Sequence, residues 1–497
     1  MNPDTYVALD GRGAEVGLLP GNTGYARQAG SEPQAQSRMR RCVVRDDASG
    51  VRYYLDCDDS TKIAGLWDGT TQTGWVRVHE GYADPVRPLV GQPTSGHPGL
   101  RPGVPSYNAI ATYQAGDRVV YDNKLWDSLA NSQTGVTPAA GTSAANLSGA
   151  DGQVMVEIPA TYYRWAFTPE LNRHEYEVLF DSVSWKPFPN LAVASTLPVS
   201  RSVMGRSFDL HPAFLKGGVQ RPARYIAAFG TSASDTGNNS TGVLRSIANG
   251  SDTNTTNVSN TNLRTKARNR NVGLTDPSGE ANNRWQLSDY WLHSLLNLLF
   301  ITEFRTLYSQ GVLGAGNVSG SVVNKIAGRS APLGNASGNF NSSGALVLVT
   351  QTSTDGVVWR GIEDIWGSAW KWVDGWNVQV DAGGIVTHYV ANNPATYAYS
   401  SGSAPYTLLG VSEPFNAAER WPSKLVEGTL VCAPGGVAGS ASTYLTDGYW
   451  QTSASAGWRV PRLGGDAGNG VSAGLAALRL YFGPGYSSAD SGAVLSL

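Results

Sequence analysis

Hydrophobic positions recur along this chain mostly in short bursts, with one exception. The segment DYWLHSLLNLLFITEFRTLYSQ (289–310) repeats them at helical spacing. Trp291, Leu295 and Leu298 form one line, Leu292, Leu296 and Leu299 the next, and Phe304, Leu307 and Tyr308 extend the stripe. Ser288 is the predicted cap, Asp289 suits the positive amino end, and Gly311 suits a left-handed stop. The apolar arc is broad, so this helix is expected to lie buried against a sheet. Elsewhere the pattern predicts short strands, at 52–55 and 74–79 and in GQVMVEIPATYYRW (152–165), whose opening alternation stops at Pro159. The fold class expected is α+β, mostly β with irregular loops.

The stretch RPLVGQPTSGHPGLRPGVPS (87–106) has neither periodicity and reads as a linker. Three divisions follow: an attachment region with linker (1–103), a small β module (104–148) and a large carboxy-terminal domain (149–497). Residues 230–262 are rich in Ser, Thr, Asn and Gly and are expected to form a surface loop held by its neighbours. No repeat of solenoid or propeller period stands out.

Only 15% of the 497 residues are charged, against roughly 25% in an average soluble domain. Thirty-seven basic and 39 acidic residues leave a net charge of −2, which provides no field for nucleic acid or anionic membranes. Fifteen Trp and 22 Tyr beside 59 Gly favour loop-rich surfaces that offer rings rather than charges. The longest apolar stretch (295–301) is far short of the ~20 residues that span a bilayer, and MNPDTYVALDGRG lacks the pattern of a signal peptide. Cys42, Cys57 and Cys432 cannot make a disulfide framework; reduced thiols are expected, with a Cys42–Cys57 bridge as the alternative. A chain made in a cytoplasm but composed for work outside fits a virion component released by lysis.

Residues 111–141, ATYQAGDRVVYDNKLWDSLANSQTGVTPAAG, hold two short strands around the turn pair Asp122-Asn123. Tyr113, Tyr121 and Trp126 either fill the core of a small module or offer flat faces to sugars. With Gly116, Asp117, Val119, Gly135 and Pro138 the segment resembles the chitin-binding modules of carbohydrate-binding families 5 and 12, although their closing tryptophan is missing.

In VVWRGIEDIWGSAWKWVDGWNVQV (357–380), Trp366, Trp370, Trp372 and Trp376 all fall on even positions, one face of an extended segment. They are expected to form a structural core. Glu363, Asp364 and Asp374 accompany them, either as hydrogen-bond acceptors in that core or as the carboxylate pair of a glycosidase; the first is favoured because no second acid cluster appears. Gly361, Glu363, Asp364, Trp366, Gly367, Trp370, Lys371, Trp372, Val373, Asp374 and Gly375 resemble the signature of the C-type-lectin-like fold shared by formylglycine-generating enzymes and phage tropism proteins. The segments at 152–165, 210–218, 287–310 and 332–338 extend the likeness to phage minor tail proteins, over roughly 150–497.

The last segment, 463–497, resembles the variable end of receptor-binding tip proteins of the major tropism determinant type through Gly464, Gly465, Gly474, Ala477, Tyr481, Gly483, Pro484, Ser487, Ala489, Gly492 and Ala493. Val494 stands where such domains commonly carry arginine. The resemblance implies a receptor-contacting face made of Asp466, Asn469, Tyr481, Phe482, Tyr486, Ser488 and Asp490, with the rings flanking Gly483-Pro484-Gly485 held outward. It also implies a non-catalytic protein. The copper-binding cysteine pair of the related enzymes cannot be made from Cys432 alone, and His79, His97, His174, His211, His293 and His388 show no metal-ligand spacing, so no cofactor or metal is expected. The partners implied are a host cell-surface receptor (a glycan, pilus or outer-membrane protein) and tail baseplate proteins, in a homotrimer on the virion, with no nucleic acid and no membrane insertion. A polysaccharide-degrading tail protein and a purely structural baseplate protein are the alternatives.

Overall fold

The computed structural model describes residues 5–10, 39–44, 52–55, 63–67, 72–78, 106–114, 117–121, 124–128, 132–138, 147–150, 152–168, 173–180, 197–203, 206–274, 284–304, 308–320, 325–347, 355–414, 419–422, 424–425, 434–436, 446–451 and 455–497. They are mostly β structure, in several sheets with few helices. Cys57, Cys432 and nearly all of the Pro/Gly-rich stretch lie outside them; Cys42 is buried. Among the described residues, no helix is long and apolar enough to cross a membrane.

The largest sheet runs in the order Gln286–Leu287, Leu495–Ser496, Ala223–Ala227, Gln153–Pro159, Arg40–Val44, Arg52–Leu55, Ile63–Trp67, Gln72–Val78, Lys124–Ser128 and Arg118–Tyr121. It therefore takes strands from all three divisions drawn from the sequence. Each unpaired edge would leave a row of backbone donors and acceptors open, and here neighbouring divisions close one another's edges. Arg41 fastens the first junction. Its strand pairs with Gln153–Pro159, and its wholly buried guanidinium donates to Gly361 O at 2.9 Å, Ser330 O at 2.8 Å and Ser330 Oγ at 2.6 Å. Burial lowers its pKa to about 10, against the opposing charge of Glu363.

A second sheet runs Thr5–Asp10, Arg173–Phe180, Thr161–Thr168, Arg206–Leu210 and Ser200–Val203. The helix Tyr290–Phe304 lies against its first two strands, with Leu292, Leu295, Leu296, Leu299 and Phe300 in the main core. Its cap is one residue later than the sequence suggested: Asp289 Oδ1 accepts from Leu292 N at 2.8 Å, while Ser288 Oγ bonds His293 Nε2. Gly311 is no stop either. It lies inside a further helix, Ser309–Leu313, where a Cβ would meet the Tyr308 ring at 2.3 Å, and the positive φ falls at Gly314. In the Ser/Thr/Asn/Gly-rich loop, Lys266 Nζ gathers Asp235 O, Asn239 Oδ1 and Thr241 O. One ammonium thus holds the loop from Asp235 to Thr241 at three points.

The tryptophans do not share a single face. Trp366 enters the main core, Trp370 a small cluster with Trp450 and Ala477, Trp372 a second core with Trp285 and Leu495, and Trp376 a third with Tyr290 and Val378. The reason is local. Gly367 (φ 71°), Ser368 (φ 63°) and Gly375 (φ 65°) have left-handed backbone, so the period-two reading fails at each and survives only within the strand Trp370–Trp372. All four rings are at most 1% exposed.

Candidate functional site

Around the strand Trp370–Trp372 a six-stranded sheet runs Glu419–Arg420, Tyr449–Gln451, Leu478–Leu480, Arg462–Leu463, Trp370–Trp372 and Ser491–Gly492. It brings together two arginines that sequence reasoning missed. Pairing of Arg462 with Trp372 in one register and with Arg479 in another puts both on neighbouring strands beside the rings.

Arg462 is wholly buried. Its guanidinium lies 4.9 Å from the Phe482 ring centre, 5.1 Å from Trp372, 5.8 Å from Tyr486 and 5.9 Å from Trp370. Arg479 lies 4.7 Å from Trp370, 5.0 Å from Tyr481 and 5.6 Å from Trp450. The result is a ladder of alternating cations and rings, an arrangement worth more when desolvated. Its charges are matched by carboxylates. Asp490 Oδ1 is 3.1 Å from Arg462 and Oδ2 is 3.3 Å from Arg479. Asp466 Oδ2 accepts from Trp370 Nε1 at 3.0 Å and lies 4.0 Å from Arg479. Burial pushes the Arg462 pKa down to about 10, against the charge of Asp490. For Asp490, partial burial works upward, but Arg462, the Ser491 and Ser488 hydroxyls and Arg479 outweigh it, so the carboxyl sits below its ordinary value.

The segment named from the sequence is thus brought together, with a different geometry from that expected. Phe482 and Tyr486, both partly exposed beside the Gly483-Pro484-Gly485 turn, stack on each other at 3.4 Å with planes 5° apart and pack against the second core. Asp466 and Asn469 close their own turn, since Asn469 Oδ1 accepts from Asp466 N and Asp466 Oδ1 from Gly468 N. Ser488 O accepts from Asn257 N. What reaches the surface is the rim: Asp490 at 28% side-chain exposure, Arg479 at 16%, Asp466 at 13%, and partly exposed Asn469, Tyr481, Phe482, Tyr486 and Ser488. A second ring pair missed by sequence reasoning lies close by. Trp458 and Tyr389 are partly exposed with centres 5.8 Å apart, and Val460 N bonds Phe482 O. No periodicity marks these residues, because they come from separate strands.

Two of the glycines carry packing rather than turns. A Cβ on Gly474 would come within 2.0 Å of Asp447 Oδ1, and one on Gly492 within 3.0 Å of Thr255 O. Asp447 is wholly buried, and burial pushes its pKa up to about 7, against a hydrogen bond from Ala476 N. Gly464 (φ 94°) and Gly465 (φ 79°) do occupy left-handed backbone.

The three acids weighed for hydrolysis are committed to the fold. Glu363 accepts from Ser330 N at 2.8 Å and Gly328 N at 3.1 Å, Asp364 from Val357 N, and Asp374 pairs bidentately with Arg264. Glu363 and Asp364 line a cavity of about 30 Å³ with His293, Asn254 and Lys371, room for a water or two and not for a sugar ring. His211 caps the turn Pro212–Phe214 by accepting from Ala213 N, as a structural histidine. Among the described residues no group of three His, Cys, Asp or Glu converges as metal ligands do.

In the small module, Tyr113 and Trp126 are buried at 8% and 5% exposure around Trp75, which enters from the preceding division. Tyr121, at 38%, is the exposed ring of the proposed sugar-stacking three. No protein-family model matches the chain, and no curated protein is significantly similar to it.

Proposed function

We propose that this chain is a phage tail receptor-binding protein, in which a carboxy-terminal domain of C-type-lectin-like type presents the rim of the cation–ring ladder to a host surface without catalysing a reaction. The observation that carries the reading is the double anchoring of Asp490 by Arg462 and Arg479. It holds Tyr481, Ser488 and Asp490 in place before any partner arrives, so little ordering entropy is lost on contact. Tyr481, Ser488 and Asp490 lie in the connection between the strands Leu478–Leu480 and Ser491–Gly492, and the carboxylates of the competing hydrolase reading are tied to backbone donors inside the fold. In this reading the amino-terminal strands join a tail baseplate, the assembly is a homotrimer, and three weak contacts act together through avidity.

The test is competition. Purified full-length protein added to the phage that carries it should block adsorption to host cells, and Tyr481→Ala should block at least fivefold less well at an unchanged melting temperature. Equal blocking by the variant would remove this rim as the receptor face.

A further inference from the structure

We infer, resting on that receptor-face reading, that the ligand of the rim is an uncharged oligosaccharide. The argument begins with charge. Arg462 and Arg479 are matched one for one by Asp466 and Asp490, with Asp490 at 3.1 and 3.3 Å from the two arginines and Asp466 at 4.0 Å from Arg479. The four sum to zero, on a chain whose own net charge is −2. An anionic ligand would compete with Asp490 for Arg479, and a cationic one would compete with the arginines for their acids. Either exchange gives up an ion pair already made.

Hydroxyl groups meet no such obstacle. A carboxylate offers about four acceptor positions. Asp490 uses Oδ1 for Arg462 and the Ser491 hydroxyl and Oδ2 for Arg479, and it also bonds the Ser488 hydroxyl, so on this 28% exposed side chain a sugar hydroxyl can take the place of the serine hydroxyl without breaking an ion pair. Beside it the ring of Tyr481 is partly exposed and fixed by Arg479 at 5.0 Å. A flat ring adjoining a fixed acceptor matches a neutral sugar, which has an apolar C–H face and an equatorial rim of donors. The second ring station, Trp458 with Tyr389, is tied to the first through the Val460 N to Phe482 O bond of 3.0 Å. Two stations call for more than one sugar unit.

The experiment measures binding of the full-length protein to immobilised neutral oligosaccharides built of glucose, galactose or N-acetylglucosamine. Sialylated, uronate-bearing and phosphorylated glycans are tested beside them, from 50 to 500 mM NaCl. Binding to neutral glycans that is unchanged across the salt range, and that falls at least fivefold in Tyr481→Ala and in Trp458→Ala with unaltered melting, is the expected result; neutral contacts are not screened by salt. Binding confined to acidic glycans and weakening with salt overturns the inference. So does binding to no glycan when cell binding is abolished by protease treatment of the cells and weakened by Tyr481→Ala, an outcome that leaves the receptor-face reading standing. Cell binding at wild-type strength in both variants overturns the reading and the inference together.

Discussion

Arg462 Nη1 lies 3.1 Å from Asp490 Oδ1, with the arginine side chain wholly buried and the carboxylate 28% exposed. A residue that sequence resemblance assigns to an adhesive surface is therefore also half of an internal pair, and the two roles have different consequences on mutation.

Asp490→Ala leaves a buried guanidinium short of its carboxylate, and removing one partner of such a pair costs about 3 kcal/mol. The loss is expected in urea unfolding, so adsorption defects of this variant are to be read only beside its stability. An unchanged midpoint would make Asp490 a surface ligand alone.

Asp447 predicts a pH effect. Burial raises its pKa to about 7, above the ordinary carboxyl value near 4. The folded state therefore binds the extra proton between these limits, and stability falls as pH rises from about 4 to about 7. Asp447→Asn, which mimics the protonated form, is expected to flatten this slope and to be the more stable protein at pH 8 by about 2–4 kcal/mol. Thermal melts of both proteins at pH 5 and pH 8 check it. Gly474→Ala, which brings a Cβ to 2.0 Å from the same carboxyl, should destabilise at both pH values.

Deleting residues 1–103 removes the strand beside Gln153–Pro159 and withdraws the Arg41 donors from Gly361 O, Ser330 O and Ser330 Oγ. A fragment beginning at Val104 is accordingly expected to lose the cooperative melt of the full chain. Arg41→Met in the intact protein should cost about 2–3 kcal/mol, because buried carbonyls are left without donors. A fragment melting at the full-length temperature would refute the linkage.

Trp370→Ala and Trp372→Ala each empty a ring site in a different cluster and are expected to cost about 3–5 kcal/mol each. Because Arg462 faces both rings, the double variant should depart from additivity, which a double-mutant cycle measures.

The long apolar helix, the end of the strand at Pro159 and the burial of the four tryptophans were legible in the sequence, because they depend on local spacing and on the water-avoidance of large rings. The helix cap was legible only to within one residue, since Ser288 and Asp289 both offer oxygens and only the helix start selects Asp289. The left-handed backbone at Gly367, Ser368 and Gly375 separates Trp366 and Trp376 from the strand Trp370–Trp372. The sequence placed Tyr481, Phe482, Tyr486 and Asp490 in one functional segment. Their packing was settled by two arginines on neighbouring strands, Arg462 against Phe482 and Tyr486 and Arg479 against Tyr481. A cation–ring ladder between strands has no period along the chain, so tertiary structure alone determined which ring and which carboxylate each arginine meets.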